Sequence, residues 1–128
     1  MGVNVKKLGI RSCAATECMF GAQDLTGYAH RSGHPELMNI AATLLNKLSM
    51  ELSGASDEEM AYVDQVQRLA SGGRLLKPAR SFAAKEIKKF GKVLRGASAT
   101  PADAKMILGF AIDGVKAQYS FDGTRTKL

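Results

Sequence analysis

The sequence predicts a mainly α fold, an antiparallel bundle of about four helices behind an irregular N-terminal segment. Three observations carry this. From residue 35 onward, apolar residues recur at helical spacing. Proline and capping residues open these stretches and glycines close them. With 128 residues, 45% of them hydrophobic, the chain suits one packed domain.

The first 34 residues lack that order. In residues 3–10, Val3 and Val5 share a face while Leu8 and Ile10 fall out of phase, as in a short bulged strand or an extended arm. Residues 11–34 have no clean period and contain Gly21, Gly27 and Gly33, which reads as loops with one or two helical turns. The expected organisation is therefore an irregular segment over 1–34 packed on the domain, a helical bundle over 35–119, and a tail over 120–128.

Pro35 suits the first turn of a helix, where its missing N–H would be unpaired anyway. Leu37, Ile40, Ala41, Leu44, Leu45, Leu48 and Leu52 then mark one face, and Gly54 ends the helix. Ser56-Asp57-Glu58-Glu59 is a capping box for a second helix with the stripe Met60, Val63, Val66, Leu69 and Ala70, stopped by Ser71-Gly72-Gly73. A third helix is expected over 78–95, closed by Gly96. Thr100-Pro101-Ala102-Asp103 opens a fourth, with Thr100 as cap and Pro101 at the first helical position, running to about Tyr119. Its centre, Met106 to Ile112, is apolar on nearly every side and is expected to be the most buried stretch, with Gly109 and Gly114 allowing close approach. The polar tail reads as frayed or as a short edge strand.

The net charge of +6 is unevenly placed. Residues 1–64 hold 5 basic and 8 acidic side chains, residues 65–128 hold 13 and 4. The composition excludes an integral membrane protein, a collagen-like chain and a disulfide-rich toxin. There is no long apolar run and no apolar stretch behind Lys6 and Lys7 that would make a secretory signal. Lys6 stands where N-myristoylation needs Ser or Thr, and Arg11 with Ser12 resembles a transit peptide only faintly. The expected location is the cytoplasm, where two cysteines serve as thiols or metal ligands rather than as a disulfide.

Most of the basic surplus lies between residues 68 and 95, which hold nine cations and one acid, Glu86. On a helical wheel Arg80, Lys85, Lys88, Lys89, Lys92 and Arg95 share one half, with Phe82, Ala83, Ile87, Phe90, Val93 and Leu94 opposite; Arg74 and Lys77 lead into it. Such a row can displace the counterions condensed on a phosphate backbone. Lysine outnumbers arginine, which favours point-charge contact over bidentate base reading. The candidate nucleic-acid contacts are thus Arg74, Lys77, Arg80, Lys85, Lys88, Lys89, Lys92 and Arg95. A solvated face, an acidic protein surface or anionic lipid are the other readings. A helix-turn-helix is disfavoured, because the joint from Gly96 to Thr100 is long and the following helix is too apolar for a groove.

Every Cys and His lies between residues 13 and 34: Cys13, Cys18, His30 and His34, in a spacing close to a zinc-finger template. Thiolates and imidazoles select zinc in tetrahedral geometry, and such a site could fold a segment with no apolar period. Against this, Gly27 and Gly33 weaken the helix that should carry the histidines. The plainer reading has the cysteines as small buried hydrophobes and the histidines on the surface. No phosphate-binding glycine loop, dinucleotide fingerprint, zinc-protease motif or nucleophile elbow is present. The expectation is a non-enzymatic, helical nucleic-acid-binding accessory protein. The alternative is a helical adaptor or assembly subunit, including a homo-oligomer. A Cys–His pair is the only foothold for an enzyme.

Overall fold

A computed structural model describes residues 5–54, 75–90, 100–119 and 125–127. The helix expected from Ser56 to Ala70, and the candidate contacts Arg74, Lys92 and Arg95, lie outside them, as do residues 91–99 and most of the tail. The described residues form a mainly α bundle: α1 (Val5–Tyr28), α2 (Pro35–Ser53), α3 (Leu76–Lys89) and α4 (Pro101–Lys116), followed by strands β1 (Ala117–Tyr119) and β2 (Arg125–Lys127). None of the described helices is long and apolar enough to cross a membrane.

The largest departure from the sequence reading is α1. The stretch expected to be irregular, with a short strand over 3–10, is helical from Val5 to Tyr28, then makes one 3-10 turn over Ala29–Arg31. Its buried face is Gly9, Ala14, Ala15, Cys18, Gly21, Ala22 and Leu25. That is a helical stripe, but it is built from small side chains. Alanine, glycine and cysteine hardly contrast with their polar neighbours in hydropathy, so the period is invisible until the partners are known. Glycine inside a helix costs about 1 kcal/mol against alanine; here the small face gives other helices room to approach.

α2 matches expectation closely. Pro35 sits at its start behind His34, whose carbonyl accepts from the Met38 N–H at 3.0 Å. Ala41, Leu44, Leu45, Leu48 and Leu52 of the expected face are buried and Met38 joins them, whereas Ile40 is exposed. Gly54 ends the helix in an extended conformation (φ −64°, ψ 128°) rather than a left-handed one. α1 and α2 run antiparallel. Near one end the Arg11 guanidinium donates to the carbonyls of Glu51 and Leu52 (3.1 and 3.2 Å), the C-terminal turn of α2. Further along, the Ser49 hydroxyl donates to the Ala15 carbonyl at 2.7 Å.

α3 begins at Leu76, two residues before the expected start, and ends at Lys89 with Phe90 as its C-cap, short of the expected Arg95; Pro78 falls within its first turn, where no intrahelical donor is lost. α4 opens as read: Thr100 is its N-cap and its hydroxyl accepts from the Asp103 N–H at 3.1 Å. The helix ends at Lys116, short of Tyr119, where Ala117 turns extended (φ −138°, ψ 157°) into β1. β1 pairs antiparallel with β2, Ala117 opposite Lys127 and Tyr119 opposite Arg125. The centre of α4 is not the most buried stretch: Ile107 and Ala111 are buried, but Met106, Leu108, Phe110 and Ile112 are half-buried and Gly109 is exposed.

α1 packs against α2, α3 and α4, whereas α2 and α3 barely touch. The largest fully buried side chains among the described residues are Leu25, Leu45, Leu48, Ile87, Ile107 and Val115, with Cys18. Burying each of these aliphatic side chains contributes roughly 2 kcal/mol before chain entropy is charged against it. α1 and α4 cross at Gly21 and Gly114. A Cβ on Gly21 would stand 2.5 Å from the Gly114 carbonyl oxygen. Gly114 thus has the close-approach role expected of it, while Gly109 has open space around it.

Candidate functional site

The basic face of α3 follows from how the helix is anchored. Ala79, Ala83, Ala84 and Ile87 are buried, with Phe82 and Phe90 packed at the margin. This pins the opposite side outward. Lys77, Lys85, Lys88 and Lys89 are exposed, with Ser81 among them. Lys77, Ser81, Lys85 and Lys88 lie on neighbouring turns of one side of the helix.

Glu86, the acid on the apolar side, reaches Lys89 one turn on: Nζ to Oε1 is 2.9 Å. Such a surface pair contributes a few tenths of a kcal/mol. Its larger effect is to neutralise one lysine of the row. Among the described residues, Lys77, Lys85 and Lys88 make no ion pair.

Arg80 does not belong with that exposed row. It faces α1, where its Nη2 lies 3.6 Å from Oε1 of Glu17, with side chains 21% and 15% exposed. Its Nε is buried without a hydrogen-bond partner. The wheel put Arg80 at the edge of the cationic half, and packing turned that edge inward. Glu17 carried no signal in the sequence, because its role depends on a partner 63 residues away (80 − 17).

Arg80 also opens onto a cavity of about 330 Å³ lined by Lys77, Arg80, Ser81 and Lys116. Lys116, in the last turn of α4, was not a candidate in the sequence. An isolated lysine at a helix end reads as a dipole partner, and only the packing of α4 on α3 brings it to the others.

The Cys and His cluster does not assemble. Cys13 and Cys18 lie on α1, His30 in the 3-10 turn and His34 at the start of α2. Between Cys18 and Tyr28 alone the helix advances about 15 Å, far beyond zinc-ligand reach of about 2.3 Å. Among the described residues no group of three or more His, Cys, Asp or Glu is placed to hold a metal. The helix that sequence reading broke into loops is what separates the two pairs.

Both cysteines are free thiols. Burial pushes the Cys18 thiol up to about 12, and the nearby Glu17 carboxylate adds to the effect. Burial also raises Cys13, again with help from Glu17 and partly offset by Arg80. A thiol held protonated is a poor nucleophile. His30 and His34 are exposed; the His34 ring lies 6.4 Å from that of Phe110.

Comparison with protein-family models, curated proteins and solved structures finds no match.

Proposed function

We propose that the chain is a small, non-enzymatic, nucleic-acid-binding accessory protein that contacts phosphate backbone through the outward face of α3. One observation carries the reading: Lys77, Lys85 and Lys88 stand exposed along one side of a helix whose other side is anchored in the core, and they make no ion pair among the described residues. Holding like charges together has a cost that an anionic strand relieves. Lysine ammoniums engage phosphates as point charges, so binding is largely independent of sequence. The reading needs no metal, and it puts the protein in the cytoplasm, where its thiols stay reduced.

The test is fluorescence anisotropy with duplex DNA and duplex RNA across a salt series. With about three phosphate contacts, log K should fall against log salt with a slope near −3. Lys85→Glu combined with Lys88→Glu should weaken binding about equally for every sequence and reduce the slope by about 2. Absence of binding at low salt, or no effect of the double substitution, refutes the proposal.

An adaptor or assembly role is favoured by a different feature, the exposed apolar side chains Phe20 (50%) and Met50 (75%). It predicts self-association that Phe20→Ser with Met50→Ser abolishes. A monomer at all concentrations, indifferent to those changes, refutes that role.

A further inference from the structure

We propose that the cavity between α3 and the end of α4, lined by Lys77, Arg80, Ser81 and Lys116, is a binding site for a phosphate monoester dianion. The site shares Lys77 with the lysine row, but neither Lys85 nor Lys88 lines it, so substituting those two tests the row and leaves this cavity intact.

Three cations from two helices meet around one cavity of about 330 Å³, a size within the range of small-ligand pockets. Two of them, Lys77 and Lys116, make no ion pair among the described residues. The third, Arg80, is held from outside by Glu17 at 3.6 Å, too long for a hydrogen bond. Its Nε–H is buried with no acceptor. Arg80 lines the cavity, and a guanidinium fork matches phosphate oxygens; its Nε, closed off from solvent, is not the atom a ligand there would touch.

Charge narrows the ligand. Among the described residues, the lining cations Lys77, Arg80 and Lys116, with Glu17 facing Arg80 from α1, sum to +2 (three positive, one negative). A phosphate monoester carries roughly −1.5 to −2 at pH 7 and offers three acceptor oxygens. A carboxylate would leave about half of that charge unmatched, and a cation would be repelled. The donors also suit it: two ammoniums, one guanidinium and the Ser81 hydroxyl.

The phosphate can come from a free phosphorylated metabolite or from the 5′ end of a polynucleotide, and the experiment separates the two. Inorganic phosphate and adenosine 5′-monophosphate are titrated by calorimetry into the full chain and into Lys116→Glu. A 20-mer single strand with and without a 5′-phosphate is compared by anisotropy on the same proteins (probe length about 20 nucleotides, enough to span a site of the usual size). Saturable binding at one site is expected, weakened about tenfold or more by Lys116→Glu, the loss of one charge-assisted contact plus repulsion, and retained in Lys116→Arg. Binding should also weaken below about pH 6, where the dianion takes up a proton. Binding of the monophosphate by this criterion identifies a metabolite site. Preference for the 5′-phosphorylated strand alone, lost in Lys116→Glu, identifies a strand end. Lys116 is exposed, so circular dichroism should show an unchanged fold. If neither probe binds, or if binding is unsaturable or equal in wild type and Lys116→Glu, the proposal is overturned.

Discussion

Replacing Gly21 by alanine adds one methyl group where α1 crosses α4. That carbon would lie 2.5 Å from the Gly114 carbonyl oxygen, 2.8 Å from its carbonyl carbon and 3.2 Å from Cδ1 of Leu45. The first two neighbours are backbone, so no rotamer change relieves them. The helices must separate by roughly half an ångström or more, loosening Leu25 and Leu45 beside the crossing; overpacking of this kind costs about 1–3 kcal/mol. Against it stands the better helix propensity of alanine, about 1 kcal/mol. Because the obstruction is backbone, the upper end of the range applies and the net loss is about 2 kcal/mol. For a chain of this size that lowers the melting temperature by roughly 6–10 °C. Gly109→Ala is the matched control: it is a mid-helix glycine with nothing within 4 Å, so it should stabilise by up to about 1 kcal/mol. Gly114→Ala falls between them, since its nearest neighbour is a Leu45 methyl at 2.9 Å, which can move. Urea and thermal unfolding followed by circular dichroism read all three. A Gly21→Ala protein as stable as wild type would refute the glycine crossing.

Three further outcomes follow from the same structure. Cys18 has a thiol raised from 9.0 to about 12 by burial, so the unfolded chain ionises first; stability should be full below about pH 9 and decline as pH rises towards 12, and Cys18→Ala should lose that part of the decline. If alkylation of Cys18 at neutral pH proceeds as fast as in denaturant, its burial is wrong. Thr100→Ala should cost about 1 kcal/mol by removing the cap on the Asp103 N–H, with Thr100→Ser close to neutral; equal stability of both variants would contradict the cap. Arg11→Ala should cost about 1–2 kcal/mol by freeing the carbonyls of Glu51 and Leu52, and Arg11→Lys should recover only part of it; a fully stable Arg11→Ala protein would remove the bridge from the account.

The parts of the fold legible in the sequence are those whose signals are local. Pro35, the leucine stripe and Gly54 bracket α2, and Thr100-Pro101 with Asp103 opens α4 to the residue. The exposed lysines of α3 were legible for the same reason, since an amphipathic helix sorts its own residues once one face is apolar. Arg80 shows where that sorting stops: it lies at the boundary, and the position of α1 decides which side of the boundary it takes. The zinc-finger-like spacing shares that blind spot. Spacing alone put Cys13, Cys18, His30 and His34 together, but spacing has a geometric meaning only after the intervening backbone is known, and a helix holds them apart.

By itself, then, the sequence determined a mainly α chain, the course of α2, the start of α4, and a cationic outer face on α3, because hydropathy period and capping act within a few residues. Only the tertiary structure decided that Val5–Tyr28 is a helix and that it packs against α2, α3 and α4. Its alanine, glycine and cysteine face has little hydrophobicity to display, and its value lies in how closely neighbours approach it. The same packing turned Arg80 towards Glu17 and carried Lys116 to the cavity beside Lys77, a convergence of charges that no stretch of sequence contains.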